Sequence, residues 1–302
     1  MAAPPPPPAP RLPGTPRMRY WRPDPAFAGL VSGYHLYAVQ PPAGGRQQDA
    51  FQPAWPILRF TFGEPATWRV RPPRGGWQAV PPVALFGPSS GVTWSDTGAG
   101  LTVGMGILPR GWGRLATSDA AAWTNRVAEP GTALRGDWQG LALSLASVAD
   151  DEQVPALFDR YLAHALATAR PENPAVAAFE AALLDPDCRN VCDLVRAVGV
   201  STRSLERLAR KAFGFPPKLL IRRARFLRSL HAVAAAPAPE RAAAIDATYT
   251  DYSHFVRDAH EFLGMSPQAF LKLDNPLLKQ SLALRKAVLG APAQALSGAG
   301  NG

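Results

Sequence analysis

Cysteine is nearly absent from this chain, with Cys188 and Cys192 the only two in 302 residues. That count does not suit a disulfide-stapled secreted protein and points to a cytoplasmic one. Two thiols four residues apart do not make a closed zinc site, and no histidine lies near them, so buried free thiols are the expectation. Histidine is equally scarce in the first half, where only His35 precedes residue 164. A barrel-type metal centre needs clustered His and Glu, so no metal or other cofactor is expected. No apolar run reaches the roughly 18 residues of a membrane span. The start of the chain lacks the apolar core of a signal peptide. GxSxG, P-loop and His-rich metal motifs are missing, and no catalytic residue stands out. The second half contains no tryptophan, since all eight fall between Trp21 and Trp138.

This last asymmetry marks a domain boundary, and 302 residues suffice for two domains. Residues 1–19 are Pro- and Ala-rich, with five consecutive prolines from Pro4, and are expected to be a disordered tail. Met18 opens the first globular-looking segment and is a candidate true start. Residues 20–145 read as β-rich, with short runs at Val31–Val39, Ile57–Phe62, Thr67–Val70 and Leu101–Ile107 broken by Pro and Gly. Its tryptophans either fill a small core or line a ligand pocket. Residues 146–186 read as a helical linker. There Val154, Leu157, Phe158, Tyr161, Leu162, Ala165 and Leu166 form a helical stripe that packs on its own domain or on a second subunit. Residues 187–273 read as all-helical, and 274–302 as one more amphipathic helix and a disordered tail.

Charge is the strongest signal. The chain carries +9, and Ser201–Arg228 holds nine basic residues opposed only by Glu206. Such a block suits a polyanionic partner when it lies on a helix-turn-helix pattern. That pattern is present twice. In the first unit Val191, Leu194, Val195 and Val198 make a short apolar stripe and Gly199 supplies the left-handed turn. Ser201 caps the next helix. On it Leu205, Leu208 and Ala212 face inward, which leaves Arg203, Ser204, Glu206, Arg207 and Arg210 outward. Gly214-Phe215-Pro216-Pro217 closes the unit and opens a long helix to about Ala235, expected to act as a spacer. The second unit is expected as a helix over Ala242–Thr248, a turn at Tyr249-Thr250, the cap Asp251, and a helix over Tyr252–Leu263 closed by Gly264 and Pro267.

The block Val200–Pro217, the stretch Asp251–Arg257 and the stretch Phe262–Pro267 resemble the AraC/XylS family of bacterial transcription regulators. The likeness covers about 85 residues, roughly Asp187 to Phe270. It implies a sequence-specific DNA-binding regulator, whose two units sit in successive major grooves about 34 Å apart. The base-facing positions it implies are Arg203, Glu206 and Arg207 in the first helix and Tyr252, Ser253, Val256 and Arg257 in the second. Ser204 and Arg210 complete the expected DNA-binding set. The implied partners are double-stranded DNA, RNA polymerase, a small-molecule effector and a second copy of the chain. Two positions depart from the pattern. Thr248 replaces a turn glycine, which costs about 1–2 kcal/mol if the residue is left-handed. Ala259 replaces a large aromatic. Val83–Pro88, Gly104–Pro109 and Trp112 resemble the sensor half of such regulators, a small β-barrel or jelly roll. The expected fold class is therefore α+β with two domains. The alternatives are a ligand-binding or dimerisation protein with a weakened DNA-binding domain, and a DNA-tethered enzyme.

Overall fold

A computed structural model describes residues 17–41, 45–63 and 68–291. The tails expected to be disordered lie outside these residues, apart from Arg17–Arg19 and 290–291, and the amphipathic helix expected before the second tail lies within them. The N-terminal half is β-rich and the C-terminal half helical, as its composition implies. The strands are β1 (Arg17–Trp21), β2 (Val31–Val39), β3 (Gln47–Phe51), β4 (Ile57–Phe62), β5 (Trp68–Arg71), β6 (Gln78–Ala79), β7 (Val83–Phe86), β8 (Thr93–Thr97), β9 (Gly100–Ile107) and β10 (Val127–Ala128). They form two antiparallel sheets. One has six strands in the order β1-β2-β9-β4-β7-β10, the other four in the order β3-β8-β5-β6. The two sheets are not closed into a barrel, one of the two forms the resemblance implies.

Strand alternation decides what each face of the large sheet meets. Tyr34 and Leu36 of β2, Leu58 and Phe60 of β4, and Val103 and Met105 of β9 point to one side. That side is covered by α2 (Trp138–Ala146) and α3 (Val154–Ala167). The stripe of α3 is used up inside its own domain, with Phe158 stacked on Tyr34 at 4.7 Å and edge-on to Phe60 at 5.8 Å. The other side carries Tyr20, Tyr37, Val39 and Ala84, and packs against Trp68 and Val70 of the small sheet.

The helical half comprises α4 (Pro174–Leu184), α5 (Val191–Val198), α6 (Thr202–Leu208), α7 (Pro217–Ala235), α8 (Tyr252–Leu263), α9 (Pro267–Lys272) and α10 (Pro276–Leu289). A short helix, α1 (Pro109–Leu115), precedes them in the β-rich half. Phe179 of α4 meets Phe213 at 4.3 Å, and Phe213 meets Trp55 edge-on at 5.6 Å. Ala50, Trp55 and Leu108 thus share one apolar core with α4 to α9. Helix α10 turns back onto the β-rich half. Its first turn is clasped by β3, where Asp49 accepts from the Leu278 N–H at 3.1 Å and Asn275 accepts from the Ala50 N–H at 3.0 Å. Its last turn places Leu289 against Gly33, where a Cβ would come within 2.6 Å of the leucine. No helix is long and apolar enough to cross a membrane.

Candidate nucleic-acid interface

Both helix-turn-helix units are built from local sequence signals. Asn190 and Asp193 form a reciprocal capping box at the start of α5. Gly199 ends that helix with φ +71°, a left-handed turn that suits glycine. Ser201 accepts from the Ser204 N–H at 3.3 Å and so caps α6. Beyond Leu208 the helix continues as a wider π turn through Phe213, closed by Gly214 at φ +85°. In the second unit Asp251 accepts from the His254 N–H at 2.7 Å, and Gly264 closes α8 with φ +74°.

These frames fix the faces. Leu205, Ala209, Ala212 and Phe213 are buried, which leaves Arg203, Glu206, Arg207 and Arg210 exposed and Ser204 half-buried. On α8, Phe255, Ala259, Phe262 and Leu263 are buried, leaving Tyr252, Ser253 and Arg257 exposed and Val256 half-buried. Tyr252 is pinned, because its hydroxyl accepts from Gln268 Nε2 at 2.6 Å. Between the units, Arg189, Lys218, His254 and Arg257 border a groove.

Four expectations change. The basic block expected to suit a polyanionic partner is largely paired or buried within the chain where it runs along α7, apart from the exposed Lys218. Arg222 donates to Asp258 and to Glu261, both at 2.6 Å, and Arg225 reaches Asp258 at 3.2 Å. Arg228 donates to the Leu183 carbonyl at 3.0 Å, and Arg223 is fully buried. The acids that answer this basic block come from the second unit, some thirty residues later. Second, no regular helix forms over Ala242–Thr248, which is a series of turns after a 3-10 segment at Ala238–Glu240. Asp246 accepts from both the N–H and the hydroxyl of Thr248, at 2.9 and 2.6 Å, a local loop that competes with helix. Third, Thr248 is not left-handed, so the expected strain does not arise. Fourth, Cys188 is buried but Cys192 is exposed.

Asp258 is the hub of the second unit. Burial pushes its carboxyl up, but hydrogen bonds from Arg222 and from Tyr249, the latter at 2.8 Å, outweigh that and hold it below the usual range. Arg225 also stacks over the Tyr249 ring at 4.2 Å. The spacer helix α7 is therefore welded to α8 through one buried carboxylate.

Sequence reading did not predict the burial of a set of polar groups, His35 and Arg59 in the β-rich half and Arg223 on α7. Burial moves each of them down, Arg223 to about 9. The signal available for Arg59 was its place between Leu58 and Phe60 in a strand. Alternation there announces an outward residue, and what covers it arrives more than two hundred residues later.

Two capped units, each presenting an exposed helix with basic side chains, define a DNA-binding domain of the helix-turn-helix class. Residues 194–273 match the family model described as a helix-turn-helix domain, of the AraC type. No curated protein matches the chain. Among solved structures it is similar to ToxT of Vibrio cholerae. An apo variant of that protein aligns at 10% identity over 79% of this chain and 96% of its own, with a TM-score of 0.45. A 1.65 Å structure of ToxT aligns at 10% identity over 79% and 97%, with a TM-score of 0.44. Wild-type ToxT bound to an unsaturated fatty acid aligns at 10% identity over 78% and 93%, with a TM-score of 0.41.

Proposed function

We propose that the chain is a transcription regulator that binds double-stranded DNA sequence-specifically, with Arg203 and Arg207 of α6 reading base edges. The observation that carries this reading is the outward face of α6. Four charged side chains stand exposed on a helix locked by Gly199 and Ser201, and none makes an ion pair among the described residues. Arginine there can pair bidentately with guanine and also neutralise phosphate. Glu206 and Ser204 add acceptors, and Arg210 lies one turn further on for the backbone. Tyr252, Ser253, Val256 and Arg257 form the second contact face. Because Tyr252 is tied to Gln268 and the turn before α8 is irregular, this face adds register and affinity more than base selection. The β-rich half is the sensor in this reading. RNA polymerase and a second copy of the chain are its further protein partners, with the apolar stripe of α3 already spent within the chain.

The test is selection of bound duplexes from a random pool with the full chain, followed by titration of the winning site against salt. A recurrent motif is expected, together with an affinity that falls linearly in log–log form with salt. Selection that returns no motif, with equal binding to competitor DNA, defeats the reading.

A further inference from the structure

The small sheet turns one face inward, with Trp68 and Val70 of β5 packed against the large sheet. Alternation puts Arg69 and Arg71 on the other face, and both are exposed. Aromatic rings hold them in place. Arg69 and Arg71 lie over the Trp77 ring at 5.7 and 5.5 Å, and Arg71 also lies over Trp94 at 5.6 Å. Neither makes a hydrogen bond or an ion pair among the described residues. The acid opposite Arg69 in the sheet, Asp96, is already held by Arg46 at 2.8 Å. Two guanidinium groups are thus fixed on rings with no anion among the described residues to meet them.

Strand β5 leads into the turn Pro72-Pro73-Arg74-Gly75, closed by the Gly75 N–H donating to the Pro72 carbonyl at 3.0 Å. Arg74 occupies its third position with φ +62°. A left-handed third position ordinarily goes to glycine or asparagine, and Gly75 and Gly76 stand next to it in the sequence. Here an exposed arginine with no hydrogen bond or ion pair among the described residues is held against its backbone preference. Strain of this kind clusters at binding and active sites.

The turn is fixed to the second helix-turn-helix unit. Gly91 is wedged between them, since a Cβ on it would come 3.3 Å from the Phe262 carbonyl oxygen and 3.6 Å from Pro73 Cβ. The Val92 N–H donates to that same carbonyl at 2.8 Å. Arg74, Glu261 and Gly264 border one groove, and Glu261 also borders the groove that holds Arg257. Arg257 lies seven residues before Gly264, about 10 Å along the helix. The turn therefore extends, past the C-terminal end of α8, the side of that helix which carries Arg257.

We propose that Arg69, Arg71 and Arg74 bind the phosphate backbone of duplex DNA flanking the segment that α8 engages. This rests on the DNA-binding reading above, because DNA seated on α8 is what brings phosphates to the row. A guanidinium stacked on a ring keeps its N–H edge free for phosphate. Backbone contacts fix register and add affinity without selecting bases. The β-rich half would then lengthen the footprint of the second unit.

The test uses the full chain and two duplexes, the minimal selected site and the same site lengthened beyond the second unit by about one helical turn. The wild type is expected to bind the longer duplex on the order of tenfold more tightly, with a log–log salt slope steeper by about two to three. The combined variant Arg69→Gln, Arg71→Gln, Arg74→Gly is expected to lose both gains and to bind the short duplex like the wild type. Arg74→Gly alone should leave the thermal midpoint unchanged or raised, because glycine accepts the turn, while losing part of the gain. The proposal is overturned if the triple variant keeps the gain or loses equally on both duplexes. It is also overturned if the row serves poly-glutamate and not flanking DNA, the result expected of a protein-docking surface. Site selection that returns no motif defeats base reading alone, because the salt slopes of wild type and triple variant can be compared on any long duplex.

Discussion

The Arg223 guanidinium lies 3.8 Å from the centre of the Trp55 ring and donates to the Ser89 carbonyl at 3.0 Å. One residue comes from the spacer helix of the DNA-binding half, the other from a loop of the β-rich half. Trp55 also packs edge-on against Phe213 and borders a cavity under α10. It is the side chain through which the recognition helix, the spacer and the cavity touch one another.

Trp55→Ala is accordingly expected to cost about 3–5 kcal/mol, the range for a buried aromatic lost from a core. Arg223→Met keeps length and removes the buried charge, so it is expected to be near neutral. Urea midpoints of the two variants check this. Equal losses would mean that the guanidinium matters as much as the ring.

Arg203→Ala and Arg207→Ala should each weaken binding to the selected site by about 1–3 kcal/mol and relax preference at one base position. Arg210→Ala should weaken all sequences alike and reduce the salt slope by about one. Fluorescence anisotropy on a set of single-base variants separates these outcomes. Wild-type discrimination in both Arg203→Ala and Arg207→Ala would dismiss α6 as the reading helix.

Asp258→Ala should be among the most damaging changes in the helical half, because it strands Arg225, leaves Arg222 with Glu261 alone and frees the Tyr249 hydroxyl. Removing one member of a buried ionic cluster costs about 3–5 kcal/mol. Glu261→Ala, whose carboxylate is 44% exposed, should cost under about 1 kcal/mol. Chemical unfolding gives both values. DNA affinity should drop with the first variant only.

Glu180 is buried on α4, with Oε1 lacking a partner among the described residues, and burial pushes its carboxyl up to about 8 despite the nearby Arg110. The folded protein therefore holds a proton that the unfolded chain gives up near the ordinary glutamate value. Stability from this group is full at low pH and is lost as pH rises toward about 8. His231 moves the other way, its ring held by burial at about 4, and Asp49 sits at about 6. Between pH 6.5 and 8 the unfolded-state imidazoles of His35 and His231 lose their remaining protons, a rise in stability that partly offsets Glu180, so comparison with Glu180→Gln isolates the carboxyl. Relative to Glu180→Gln, wild-type stability should fall by roughly 1–2 kcal/mol across that window. An unchanged slope in the variant would rule this assignment out.

Gly199→Ala meets no neighbour, since nothing lies within 4 Å of the added Cβ. Its cost is backbone strain alone, about 1–2 kcal/mol. Ser201→Ala removes the cap of α6 and should cost about 1 kcal/mol. Thermal midpoints should show both effects, and the Gly199 variant should also bind DNA more weakly because it re-aims α6.

The two helix-turn-helix units were legible because their signals are local. Gly199, Ser201, Asp251 and Gly264 act on the turns they occupy, and the runs Val31–Val39 and Ile57–Phe62 carry strand character within themselves. What escaped depends on partners far along the chain. The arginines of α7 count toward the block for a polyanionic partner until Asp246, Asp258 and Glu261 fold against them. Arg59 looks like a surface residue until α10 covers it. The helix expected over Ala242–Thr248 fails on one side-chain loop at Asp246, which a propensity reading does not weigh. Closure of the β-rich half into a barrel depends on strand order, which local pattern does not encode.

The shared core of Ala50, Trp55, Leu108 and helices α4 to α9 has a consequence for how such a chain can change. A segment cut at 187 and grafted onto another sensor would leave Phe179 behind and expose Phe213 on an open apolar face. The halves of this protein are not exchangeable cartridges, and substitutions at Trp55 or Phe213 must be matched across the boundary to survive.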